Sequence, residues 1–416
     1  MCRKWRQLAW TTLDLWKNVY VSIGTSTMRS LSLAKSLPGL LCEWLDRSGV
    51  LPLNIFFVYS EWFDDPMINM MEIATGSAIK ILNSYSGQWR NLHIITGEDI
   101  FERFAWYTQP NQLIGLHLRL IDQPSQPPNF MIKSEFTPTH VELAISAFPL
   151  TSIDIRWDKT THIALHDISP VECIEVLRRA PRLEYCSISM STPGEVSFRE
   201  PILHPGLRSL HLSASYYINE FLEEINLPSL EQWTQHMAGF DYLPVAAMLS
   251  LVKRSGCCPK ILNLECLPHD SKSLTNLPQA IPTLEQIHLS FNSGLKVNGM
   301  MDDILTRIFC PAPTSRSILV EGHTPESLLP RLQFMKCNTL SRDAPFSWDC
   351  IPQLYHQGHR RPLVLKTIIN NADITDETAI RLSQLADEGL DLQVFDALID
   401  GCFLANFRKR MCEQGV

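Results

Sequence analysis

Positive charge is scarce in this chain: 36 lysines and arginines stand against 44 aspartates and glutamates over 416 residues, a net charge of −8. A chain of that sign has no field to hold a phosphate backbone, which excludes nucleic acid as the expected partner. Long apolar runs are missing as well. The longest strongly apolar stretch, Val50 to Tyr59, contains a proline and an asparagine and is too short to cross a bilayer, so no membrane span is expected. Glycine-rich phosphate loops are absent, with no G-x-G-x-x-G and no G-x-x-x-x-G-K-[ST]; G-x-S-x-G is absent too. Nucleotide binding and α/β-hydrolase chemistry therefore find no local support. No C-x-x-C occurs among the 12 cysteines, so Cys257-Cys258 followed by Cys266 reads as packed core rather than a zinc ligand set. Met1 is followed at once by Cys-Arg-Lys-Trp-Arg, which predicts no secretory leader. Reduced, buried cysteines and a cytoplasmic or nuclear location follow.

What is present is enough apolar material for a sizeable core, 45% hydrophobic against 19% charged residues. The length suits two domains or one long array, because repeat architectures grow along one axis. In "LAKSLPGLLCEWLDRSG" the apolar residues Leu37, Leu40, Leu41, Trp44 and Leu45 have the spacing of a helix with one buried face. Pro38 is read into its first turn and Gly49 just past its end. "VLPLNIFFVY" then reads as a buried strand. The alternation returns, with "MINMMEIATGSAIKILNSYSG", "EDIFERFAWYT" and "SPVECIEVLRRAP" read as helices, each feeding a short strand. That order suggests parallel strands joined by helical crossovers.

A punctuation mark gives the period. A proline stands two residues before an aliphatic residue at Pro181/Leu183, Pro205/Leu207, Pro228/Leu230, Pro259/Ile261, Pro282/Leu284 and Pro330/Leu332, at intervals of 24, 23, 31, 23 and 48. The proline ends each crossover, since it cannot continue a helix. The runs that follow share a loose L-x-x-L-x-L pattern, as in Leu183/Cys186/Ile188, Leu207/Leu210/Leu212, Ile261/Leu264/Cys266 and Leu332/Met335/Cys337; Leu113/Leu116/Leu118 and Leu150/Ile153/Ile155 repeat it upstream. A unit of 20 to 29 residues built from a strand and a helix is the mark of leucine-rich repeats. The expected fold is thus α/β, a leucine-rich-repeat-like solenoid of parallel strands with helical crossovers, spanning 89–400. Residues 25–88 supply linking helices and a first strand, a helix opens at Thr375, a strand falls near Leu392, and a basic tail from Cys402 frays.

No catalytic constellation emerges, and neither a cofactor nor an enzyme is expected. His162 and His166 are four apart, but the glutamate of H-E-x-x-H is absent and "THIALHDIS" reads as well for a strand; a surface pair is favoured over a zinc site. "HQGHRRP" is a local positive cluster, read as a solvated loop.

The opening stretch "CRKWRQLAWTTLDLWKNVYVS" is an amphipathic segment at the start of the chain, with Trp5 and Trp16 among its three tryptophans. It resembles the second half of an F-box as found in large families of mushroom-type fungal proteins: a C-R-x-W-R-x-L-A helix, an LW turn and an extended exit. "LLCEWLDRSGVLPLNIFFV" and "GQWRNLHI" resemble the segments that follow the F-box in those proteins, so the likeness covers about the first 95 residues. It implies that 1–24 is an α-helical F-box remnant docking on a Skp-family adaptor of a cullin ubiquitin ligase while the repeats recruit a substrate protein. By position, Trp5, Leu8, Leu15 and Trp16 are the apolar residues of that half, with Trp5 and Trp16 expected in the domain's own core. The L-P-x-E-I-L-like first helix of an F-box is not in the sequence, so the expectation is a clipped or lost adaptor-binding half. The alternative is a repeat scaffold with no ubiquitin link.

Overall fold

The computed structural model describes residues 3–24, 31–59, 68–104, 113–121, 132–133, 136–144, 150–191, 201–214, 218–237, 243–265, 271–291, 302, 305, 329–339, 348, 351, 364–369, 374–389, 391–396 and 402–414. The chain divides into two compact units, Met1–Glu195 and Val196–Val416. It is an α/β protein whose main sheet has fourteen strands, all parallel, seven in each unit.

In the first unit these are β1 (Asn18–Ile23), β2 (Leu53–Tyr59), β3 (Trp89–Thr96) and β4 (Gly115–Leu120), followed, past the short β5 (Ile132–Lys133), by β6 (His140–Ala144). After another short strand, β7 (Ile153–Asp154), come β8 (His162–Ile168) and β9 (Tyr185–Met190). Sheet order follows chain order, with β5 and β7 set aside as a pair of their own. The helices are α1 (Arg3–Thr11), α2 (Leu31–Ser48), α3 (Ile68–Ser84), α4 (Glu98–Phe101) and α5 (Pro170–Arg179).

The second unit opens with β10 (Ile202–Leu203), β11 (Ser209–Ala214), β12 (Ile225–Asn226) and β13 (Gln232–Met237). It continues through β14 (Ile261–Glu265), β15 (Gln286–Phe291), β16 (Phe334–Thr339), β17 (Val364–Ile369) and β18 (Leu392–Asp396). Its helices are α6 (Ile218–Glu223), α7 (Val245–Ser255), α8 (Ser271–Ala280), α9 (Asp376–Asp387) and α10 (Phe403–Gln414). The two-residue β10 and β12 pair with each other, and the rest run in chain order.

The period of two along each strand explains the layering. In β2, Leu53, Ile55, Phe57 and Tyr59 are buried while Asn54, Phe56 and Val58 are not. Parallel pairing in register then lines the inward residues into rows: Val19, Ile55, Leu92, Leu116, Val141, Ile163 and Cys186 form one, and all are buried. No strand can bury that face alone, so each is stabilised by its neighbours. Helix ends follow the local chemistry. Ser169 caps α5 in a capping box with Glu172, and Pro170 occupies the first turn, where its missing N–H costs nothing. Gly256 closes α7 at φ +59°, a conformation glycine adopts without strain.

Several sequence expectations need correction. The opening segment does follow the expected order of helix, turn and extended exit: α1 ends at Thr11, a 3₁₀ turn covers Leu13–Leu15, and Asn18 begins β1. The strands β1 and β2 thus belong to the same parallel ladder as the strands from 89 on. Pro38 is not in a first turn, because α2 starts at Leu31 and Ala34 is buried a turn before the proline. Only Leu41 and Leu45 of the five apolar positions are buried; Leu40 and Trp44 face outward. Leu150/Ile153/Ile155 is not a strand of the main sheet, since β7 pairs with β5. At β14 the buried residues are Leu262 and Leu264, opposite Trp233 and Gln235, so Ile261/Leu264/Cys266 is out of register. A proline spacing cannot sense the two extra residues there; the pleat does. The tail does not fray: α10 buries Leu404 and Phe407, and Arg408 donates to the Ser383 carbonyl at 2.7 Å and pairs with Asp387 at 2.8 Å. Of the cysteines, Cys42 and Cys258 are exposed, whereas burial pushes the Cys186 and Cys337 thiols up to about 12. "HQGHRRP" and Cys266 lie outside the described residues.

Candidate functional site

The residues that alternate with the core rows face the other way, and in the first unit they assemble a site. Register places Asn18, Asn54, Asn91, Gly115, His140, His162 and Tyr185 in one row. Two residues further along the strands, Tyr20, Phe56, His93, His117, Glu142 and Ala164 form the next. Neighbouring strands are about 4.8 Å apart, the distance at which planar side chains stack.

They do stack. The His93 and His117 rings are 3.7 Å apart and nearly parallel, with Phe56 tilted against His93 at 5.5 Å. His140 lies on His162 at 4.4 Å, and His162 on Tyr185 at 5.8 Å. The asparagines hand hydrogen bonds along the row, Asn91 Nδ2 donating to Asn54 Oδ1 and Asn54 Nδ2 to Asn18 Oδ1, both at 2.7 Å. Gly115 leaves a notch: a Cβ there would stand 2.5 Å from Asn91 Oδ1, so the amide leans over the glycine. A groove of about 370 Å³ runs across these rows from Phe56 to Tyr185.

Among the residues lining the groove, Glu142 is the one Asp, Glu, Lys or Arg. Its carboxylate is 2.7 Å from His117 Nδ1 and 3.6 Å from His166 Nε2. Burial lowers the pKa of His93, His117 and His140; the neighbouring imidazole adds to this at His93 and His140, and Glu142 opposes it at His117. These rings are therefore neutral at pH 7, with the His117 Nδ1–H donating to Glu142.

The shifts carry a stability prediction. Each of these histidines has a folded pKa below its unfolded value of 6.5, so the unfolded chain binds more protons once the pH falls below that value. Stability is full above pH 6.5 and falls as the pH drops through the folded values. The thermal midpoint is expected to be lower at pH 5.5 than at pH 7.5 by several degrees, measured by circular dichroism. His93→Gln with His117→Gln should flatten that slope; an unchanged slope would remove the stack as its cause.

Of the residues singled out in the sequence, His162 lines the groove and His166 approaches Glu142, while those of the opening segment lie elsewhere. Trp5 is in α1, with its side chain outside the described residues. Leu8 and Leu15 are each 55% exposed, and Trp10 and Leu13 are exposed beside them. Trp16 is half-buried: its Nε1 donates to the Ala9 carbonyl at 2.8 Å, and its ring meets Trp44 edge to face at 4.7 Å. The Arg47 guanidinium lies 4.7 Å from the Trp16 ring and 5.3 Å from that of Trp10, so Trp16 joins the opening turn to α2. His162 and His166 share one face of a strand rather than a helix, about 13 Å apart along it, too far to share a metal. Among the described residues no His, Cys, Asp or Glu group is placed to hold a metal, and no helix is long and apolar enough to cross a membrane. Glu142, His93, His117 and His140 were not singled out from the sequence as site residues. Their signal is the residue between two inward apolar ones, as in Leu92-His93-Ile94 and Leu116-His117-Leu118.

No family model and no curated protein matches this chain. Among solved structures it is similar to a crystal structure of a Bacteroides fragilis protein, at 12% identity and a TM-score of 0.33, covering 83% of this chain and 74% of that one. A likeness that slight carries no argument about function.

Proposed function

We propose that this chain is a non-enzymatic protein-binding module, a leucine-rich-repeat-like solenoid whose strand face in the first unit grips a segment of another protein. One observation carries the reading: a groove formed by in-register rows of stacked rings and amides, on strands whose opposite face is the core. Side chains on such a face can vary without disturbing the fold, which is how repeat proteins acquire partners. Rigid aromatic rings supply contact area at low entropy cost, as interface anchors do. The expected setting is the cytoplasm or nucleus, with neither nucleic acid nor membrane as partner. The test is a displayed library of random decapeptides panned against the full chain. Peptides retained by the native protein should be released by the double variant His140→Ala/His162→Ala; retention that ignores the groove would reject the reading.

A second reading, as substrate receptor of an SCF-type ubiquitin ligase, is favoured by the exposed Leu8, Trp10, Leu13 and Leu15. Apolar residues clustered at a surface mark a docking patch more often than a free one. If the patch is the surviving half of an F-box, the purified chain binds a Skp-family adaptor and Leu8→Asp/Leu15→Asp weakens that binding by at least about tenfold. No complex on mixing leaves the scaffold reading without the ubiquitin link.

A further inference from the structure

We infer that the groove of the first unit takes an extended segment bearing arginine, its guanidinium set at Glu142 against the His93–His117 ring pair. This rests on the reading of the same groove as a protein-binding site and names what that site selects.

Charge comes first. Glu142 is the single carboxylate in a lining that holds neither lysine nor arginine, and the rings beside it are neutral at pH 7, so the groove is anionic at one point. The titratable and charged groups around that point are His117 and Arg119 on the neighbouring β4, His93 one strand further on β3, His140 on β6 itself, and His162 and His166 on β8. Arg119 stands opposite Ala144, one row beyond the carboxylate, and is exposed. His117 occupies one oxygen of Glu142, at 2.7 Å, while among the described residues the other has only the long 3.6 Å approach of His166. A cation from a partner can take that second oxygen without displacing His117.

Shape comes next. A volume of about 370 Å³ suits one or two side chains rather than a folded surface. The walls are planar rings in parallel array, and the amide oxygen of Asn91 leans over the notch at Gly115. A guanidinium is flat, stacks on rings and donates to several acceptors in its plane, whereas a lysine ammonium is a strongly hydrated point charge that gains little from such walls. The lining thus offers what a guanidinium uses: a carboxylate, a carbonyl oxygen and a ring stack.

The experiment extends the library to its sequences. Peptides retained by the native full chain should be enriched in arginine at one position, and Glu142→Gln should erase the enrichment. For one retained peptide, synthesised with a fluorescent label, replacing that arginine by citrulline removes the charge and keeps the shape. Binding followed by fluorescence anisotropy should weaken by about tenfold or more, because a charge-assisted pair becomes a neutral hydrogen bond. The citrulline arm uses the unaltered protein, so it stands even if Glu142→Gln folds poorly. Groove-dependent peptides with no arginine preference, or equal binding of arginine and citrulline forms, overturn the inference and leave the protein-binding reading in place. Absence of any groove-dependent peptide overturns both.

Discussion

Trp89→Ala is expected to lower the unfolding free energy by about 3–5 kcal/mol, a large part of the total for a protein of ordinary stability. Trp89 begins β3 with no exposed surface, opposite Leu53, and its ring meets Phe104 at 6.4 Å. Phe104 in turn packs edge to face on Phe57 at 5.2 Å, so the deletion opens a cavity at the centre of an aromatic cluster. Among the described residues the buried indole nitrogen of Trp89 has no hydrogen-bond partner, hence Trp89→Phe keeps most of the contact and removes an orphan donor. Its cost should stay below about 1.5 kcal/mol. Urea titration followed by circular dichroism measures both. Equal losses for the two variants would show that the indole, and not the filled volume, holds β2 and β3 together.

The second large effect belongs to a polar side chain. Arg254, in the last turn of α7, directs Nη2 at the carbonyls of Leu222 and Ile225, each at 2.7 Å. The next residue, Ser255, accepts the backbone N–H of Leu227 at 2.9 Å. Together they tie the helix end to the chain that leaves α6 and passes through β12. Arg254→Met retains the apolar stem and strips both carbonyls of a charged donor. The expected loss is about 2–4 kcal/mol, from hydrogen bonds that each contribute about 1.5–3. Hydrogen exchange should localise it, with amides of 222–227 losing protection first. A variant with unchanged exchange there would mean that the two carbonyls find other partners.

These positions show how unevenly a sequence announces its structure. Trp89 sits in "GQWRNLHI", at the first position of an L-x-x-L-x-L-like run with Leu92 and Ile94, and its burial is readable from that spacing although it stands outside the strict alternation that begins at Leu92. Arg254 gives no such sign, because a basic residue near a helix end is ordinary, and only the packing of α7 on α6 brings the two carbonyls within reach. The proline spacing located strands at Leu183, Leu207, Leu284 and Leu332, all buried. It misplaced β14 by two residues and mistook Leu150/Ile153/Ile155 for a strand of the main sheet, since spacing cannot distinguish which neighbour a short strand will pair with. The helix opening at Thr375 and the strand near Leu392 are found as read, the first because the threonine side chain caps it.

The candidate site was less legible still. Leu8 and Leu15 drew notice as apolar residues in an amphipathic opening, and they are exposed; Trp16 holds that opening to α2 through Trp44 and Arg47. His93, His117, His140, His162 and Glu142 are spread over some seventy residues and have no motif in common, so their meeting is a consequence of register alone.

The sequence by itself determined the α/β class, the alternation of helix and strand, and the inward face of most strands, because these depend on periodicities of two and 3.6 that are local to the chain. Only the tertiary structure decided which strands lie side by side and at what offset. Parallel pairing is set by burial summed over many strands, and a shift of one residue would have turned every ring of the groove into the core.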